Sequence, residues 1–126
     1  MKQVSAILVF LVVFFTSAAV FSADKAAIGK NVDDIVVAID GGKAATDFKA
    51  GDYDPYIFIM EEAGKLIVHP SLAGESLKEK AAPVYDALTK ATPEGVWVDY
   101  EWQGKKKHTY ARKTKSGLTV GSGYSE

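Results

Sequence analysis

Residues 95–114 read GVWVDYEWQGKKKHTYARKT. Trp97, Tyr100 and Trp102 are interleaved with valines and acids, Gly104 interrupts, and alternation resumes through His108, Tyr110 and Arg112. Period-two alternation on both sides of a glycine is the pattern of a β-hairpin. Two registers fit it. A two-residue Gly104-Lys105 turn sets Asp99 opposite Tyr110 and Trp97 opposite Arg112, whereas a three-residue turn sets Tyr100 opposite His108. A slip of one residue exchanges the faces of one strand against the other. The Trp97 face and the Tyr100 face are therefore both open as the lining of a site.

Working outward, LTVGSGY at 118–124 supplies a strand after the hairpin, with Gly121 and Gly123 marking a bulge or close backbone approach. Upstream, PYIFIMEE and KLIVHP flank Ala63-Gly64, which predicts two strands over 55–62 and 65–69, closed by Pro70. Between these pairs lies SLAGESLKEKAAPVYDALTKATPEG. Ser76 and Glu79 have capping-box spacing, and Pro83 predicts a break with a new helix starting there. Val84, Leu88 and Tyr85 would face inward. Further upstream, Val32, Ile35, Val36 and Ile39 share one helical face, with Asn31 as N-cap and Asp33 and Asp34 in the first turn. Gly41-Gly42 ends or bends that helix, and a short helical piece from Lys43 to Lys49 carries Phe48 inward. The order predicts an α+β fold: a five-stranded antiparallel sheet with the N-terminal helix on one face and a helical crossover on the other.

The chain has 126 residues, a formal charge of -1, a quarter of its residues charged and no cysteine. One domain with one core fits that length, and the balanced charge argues against a nucleic-acid surface. Residues 1–23 differ from the rest: Lys2, an apolar run from Val4 to Phe15, then small residues. This is the order of a secretory signal peptide, with cleavage expected between Ala19 and Asp24. An uncleaved anchor is the alternative, since Val4 to Val20 is only a little shorter than the ~20 residues that span a bilayer. Export would leave a single periplasmic domain, 24–126, without stable membrane insertion. It would be held by its core alone, and without cysteine thiolate metal sites are excluded. The exported protein should begin between Val20 and Asp24 by intact mass. A species that retains Met1 and pellets with membranes would identify an anchor instead.

Several stretches together resemble the Cache domains, the extracytoplasmic PAS-like sensor modules of bacterial chemoreceptors and histidine kinases. They are YIFIMEEAGKLIVHP, LAGESL, GVWVDYEW, KHTYAR and GSGY, with Gly41-Gly42 and KAATDF before them. The likeness is greatest to free-standing single-Cache members and runs over nearly all of 24–126. It implies a PAS-like sheet and a small-molecule pocket under the crossover, with small organic acids among the ligands of similar domains. It implies no cofactor. Two features depart from the family pattern. KEKAAP is short where the family has a longer segment over the ligand, and no signalling domain follows Tyr124. Output would then pass through a membrane receptor or kinase partner.

The residues point independently to an anion. His108, Tyr110 and Arg112 share one strand face. Arginine offers a fork for a carboxylate, and tyrosine a directional hydroxyl. The candidate ligand contacts are Tyr110, Arg112, Trp97, Tyr100, His69, His108 and Lys107. Each has a plainer reading. The aromatic rings stabilise hairpins anyway, His69 can bond backbone at a strand end, and Lys105 to Lys107 can be a soluble turn. Asp52 and Asp54 lack the further oxygen ligands of a calcium loop. No motif joins a nucleophile to a base, so a binding module is expected rather than an enzyme. A structural module of a receptor complex and a small α+β enzyme are the alternatives.

Overall fold

The structure, a computed structural model, describes residues 25–126. The expected export segment lies outside them. Helix α1 occupies 25–40 within the described residues. Ile28, Val32, Ile35 and Val36 form one fully buried stripe along it. Because Ile28 lies one turn before Val32 on that stripe, the helix runs through Asn31, which is not its N-cap. At the other end Gly42 takes φ 112. Lys43 N–H then reaches Ala38 O at 3.0 Å, closing the helix with a left-handed residue. The short helix expected from Lys43 to Lys49 is instead two 3-10 turns, Ala45–Asp47 and Ala50–Asp52, neither with a side-chain cap. Extended backbone at Phe48 separates them and brings its ring to the α1 core.

Five strands form one antiparallel sheet: β1 Ile57–Met60, β2 Leu66–Val68, β3 Val96–Trp102, β4 Lys105–Lys113 and β5 Thr119–Ser125. Their order across the sheet is β2-β1-β5-β4-β3, so the chain's last strand lies at its centre. The architecture is α+β and PAS-like, as the sequence predicts. Every residue of β1 is buried because the sheet is covered on both faces. On one face Ile57, Ile59, Val68 and Val120 pack with Val32, Ile35 and Val36 of α1. On the other, Phe58, Met60, Leu66, Val98 and Ala111 pack with Leu77, Val84 and Leu88. Those three belong to the crossover, made of α2 Leu77–Lys80 and α3 Ala82–Leu88. Ser76 caps α2, its Oγ accepting from Glu79 N–H at 3.3 Å. Pro83 falls in the first turn of α3, where a missing N–H leaves nothing unpaired.

The hairpin register differs from both expected forms. Its turn is Gln103-Gly104, with φ of 52 and 79, and Trp102 pairs with Lys105. Tyr100 then stands opposite Lys107, Asp99 opposite His108 and Trp97 opposite Tyr110. Two positive φ values match the right-handed strand twist. Gln103 accepts one of them, so the hairpin closes a residue earlier than Gly104-Lys105 would allow. The faces nonetheless divide as the two-residue turn implies. Val98, Tyr100 and Trp102 lie with Lys107 and Ala111 under the crossover, and Trp97 and Tyr110 lie toward α1.

Candidate functional site

Between the crossover and the sheet is a pocket lined by Phe58, Leu66, Leu77, Val84, Leu88 and Tyr100. Tyr56, His69, Trp102 and Lys107 complete it. The space left among these side chains is about 10 Å³, room for about one water. Admitting anything larger requires some of these side chains to move. No carboxylate is among the lining residues.

Lys107 reaches the pocket because β4 alternates, pointing Lys107, Thr109 and Ala111 inward. Only 5% of the residue is exposed. Its ammonium donates to the Tyr56 hydroxyl at 2.8 Å and lies 4.5 Å from the centre of the Tyr56 ring and 5.9 Å from that of Trp102. Among the described residues, its nitrogen has no carboxylate within 4.0 Å. Burial without a counter-ion disfavours the charged form and pushes the Lys107 pKa down to about 8.

His69 follows β2 and lies beside Lys107. Its Nδ1 accepts the backbone N–H groups of Ser71 and Leu72, each at 3.0 Å. In the neutral ring that places the proton on Nε2, which becomes a donor. Burial first, and then the Lys107 charge, lower the His69 pKa to about 4, so the ring is neutral at physiological pH. Its edge packs against Tyr56 at 5.3 Å and Trp102 at 6.2 Å between centroids. Tyr100 shares its hydroxyl with Thr109 Oγ1 at 2.9 Å, and burial pushes its pKa up to about 12. The polar side of the pocket is therefore rich in N–H and O–H donors and holds one positive charge.

The remaining candidates lie on the other face. Arg112 Nη1 donates to Asp33 Oδ1 at 3.0 Å, and its Nε donates to the Pro93 carbonyl. Tyr110 donates its hydroxyl to the same Asp33 oxygen at 3.1 Å. These two side chains bind α1 to β4 rather than opening under the crossover. Trp97 packs on Tyr110 at 5.6 Å, with the Lys25 ammonium 4.9 Å from its ring centre. His108 bridges two carboxylates, with Nδ1 2.7 Å from Asp99 Oδ1 and Nε2 2.6 Å from Glu126 Oε2. The Glu126 contact, then that of Asp99, raises its pKa. The structure thus brings together His69, Tyr100 and Lys107, and it separates Trp97, His108, Tyr110 and Arg112 from them. Tyr56 and Trp102 belong to the pocket but were not among the sequence candidates. Period two from Phe58 and from Tyr100 would have placed both on the pocket face.

No family model matches this sequence, and no curated protein matches it. Among solved structures, the chain is similar to a methyl-accepting chemotaxis protein from Vibrio parahaemolyticus. That likeness has 16% identity, a TM-score of 0.49, and coverage of 89% of this chain and 95% of the other. A second similarity is to the ligand-binding domain of Mlp24 with asparagine, at 20% identity and a TM-score of 0.39. There the match covers 56% of this chain and only 28% of the other. Likenesses this distant assign no function, and the pocket chemistry must carry the reading.

Proposed function

We propose that this protein is an exported, Cache-like sensor module that binds a small carboxylate under its crossover and passes occupancy to a membrane receptor or kinase. The observation that carries the reading is Lys107, a buried ammonium with a phenol and two ring faces for partners and, among the described residues, no carboxylate within 4.0 Å. A buried charge is retained at a cost unless something pairs with it. A ligand carboxylate would supply the missing charge, with the His69 Nε2–H as a second donor and Tyr56 and Trp102 flanking its apolar part. Arg112 and Tyr110, already joined to Asp33, are assigned to the α1 interface instead.

The test is a thermal-shift screen of the purified protein against small carboxylates, neutral alcohols and amines. A carboxylate at a hundred times its dissociation constant should add about 2.7 kcal/mol of stability. The Lys107→Met protein should lose about ten- to a hundredfold in affinity, the worth of one charge-assisted hydrogen bond. An unchanged carboxylate shift in that variant, or a loss that instead follows Arg112→Ala, would move the site to the other face.

A further inference from the structure

We propose that Lys107 captures the carbonyl group of a small 2-oxo acid as a reversible imine. The inference deepens the carboxylate reading and rests on it. The residue and the simpler task are mismatched. Binding a carboxylate by charge alone is better served by arginine, whose fork makes two parallel hydrogen bonds and whose charge survives burial. This pocket holds a lysine instead, enclosed by Tyr56, Trp102, Leu66 and Leu77. Desolvation of that kind turns an ammonium into a usable amine nucleophile. With a pKa of about 8, the Lys107 neutral fraction at pH 7 is on the order of a hundred times that of an exposed lysine.

The neighbouring groups suit each stage of the addition. The Lys107 nitrogen lone pair attacks the carbonyl carbon, and the carbonyl electron pair moves to oxygen, which takes a proton to give a carbinolamine. The Tyr56 hydroxyl, 2.8 Å from the nitrogen, stands where that proton is needed. Burial raises its pKa, so it remains a proton donor. The nitrogen then returns a proton to the Tyr56 oxygen, Tyr56 passes it to the carbinolamine hydroxyl, which leaves as water, and the proton that the ammonium shed before attack restores Tyr56. Overall one ammonium and one oxo acid become one protonated imine and one water, with no change of oxidation state. The imine keeps the positive charge, so the acid's carboxylate retains its counter-ion. The His69 Nε2–H remains available to that carboxylate, because Nδ1 is held by two backbone N–H groups.

The cavity as it stands holds about one water, so any 2-oxo acid must displace lining side chains, and glyoxylate, the smallest, asks least of them and is the probe. Glycolate, which has a hydroxyl in place of the carbonyl, is its control. The purified protein is treated with glyoxylate and cyanoborohydride at neutral pH, and modified lysines are located by peptide mapping. Lys107 should be labelled at least about tenfold faster than Lys105 and Lys106, and excess glycolate should slow Lys107 alone. The Lys107→Arg protein should show only the slow background at its other lysines. If glycolate and glyoxylate stabilise the protein equally and Lys107 is labelled no faster than Lys105, imine capture is overturned and carboxylate binding stands. If neither acid stabilises the protein and Lys107 is not preferred, both readings fall.

Discussion

The Lys107→Met protein should be more stable than its parent at pH 7, by about 2 kcal/mol, even as it loses carboxylate binding. The Lys107 pKa falls from 10.5 to about 8 on burial. At about 1.4 kcal/mol per unit, that is a charge working against folding by about 3 kcal/mol. Methionine removes this penalty and gives back about 1 kcal/mol with the lost Tyr56 hydrogen bond. The pH dependence has a definite sign. The folded-state pKa lies below the unfolded one, so the unfolded chain binds more protons between about 8 and 10.5, and the parent gains stability as pH rises through that window. Burial raises the pKa values of Tyr56 and Tyr100, which reverses the trend above about 10, where the unfolded phenols ionise first. Urea midpoints measured from about pH 7 to 10 should therefore rise for the parent relative to Lys107→Met, since His108 and the tyrosines act alike in both proteins. Bound carboxylate favours the ammonium, so affinity should weaken above about pH 8. A variant less stable than its parent at pH 7, with no rise in the parent, would show that Lys107 is accommodated as an ordinary surface charge.

Gly123→Ala should lower stability by about 3 kcal/mol, at the upper end of overpacking costs, and the melting temperature by more than about 10 °C. Gly123 lies at the centre of the sheet, opposite Thr109. A methyl group there would collide with the His108 carbonyl and stand 2.5 Å from Thr109 Oγ1 and 2.8 Å from Thr109 Cα. Two of these obstacles are backbone, so relief requires β4 and β5 to separate. At Gly121 the atoms nearest an added methyl all belong to the Phe58 ring, a side chain rather than backbone, so the effect of Gly121→Ala should be smaller and felt in the pocket. At Gly29, in α1, the added carbon meets no described atom within 4 Å beyond its chain neighbours and the helix's own backbone, and Gly29→Ala should stabilise by about 0.5–1 kcal/mol. Melting curves of the three variants decide the matter. If Gly123→Ala melts with the parent, the β4–β5 pairing is incorrect.

The hairpin, the crossover break at Pro83 and the apolar stripe of α1 were legible because each follows from local chemistry. Alternation, a missing N–H and helical spacing all act within a few residues. The register was not legible, because Gln103 has no composition that announces a positive φ. The start of α1 is hidden from local chemistry for a related reason. Asn31 is a good cap in isolation, but Ile28 adds another turn of burial against the sheet. In the site, His69, Tyr100 and Lys107 could be named from sequence. Arg112 and Tyr110 look equally suited to an anion until Asp33 is seen beside them, and that carboxylate lies 79 residues before Arg112. An internal partner and an external ligand present the same demand on an arginine, and only the fold tells them apart.

The two-residue Gln103-Gly104 turn has a consequence for how this protein can change over generations. Residues of β4 that face the crossover and residues that face α1 alternate along one strand, so point mutations can retune either set while leaving the other in place. An in-frame insertion of one codon in the turn could not do so. Absorbed as a one-residue slip of β4 rather than as a longer loop, it would send Lys107 toward α1 and bring His108 and Tyr110 under the crossover, exchanging both sets in a single event. Relatives that share this pocket should therefore keep two residues in the turn and draw them from those that tolerate a positive φ, glycine and asparagine first.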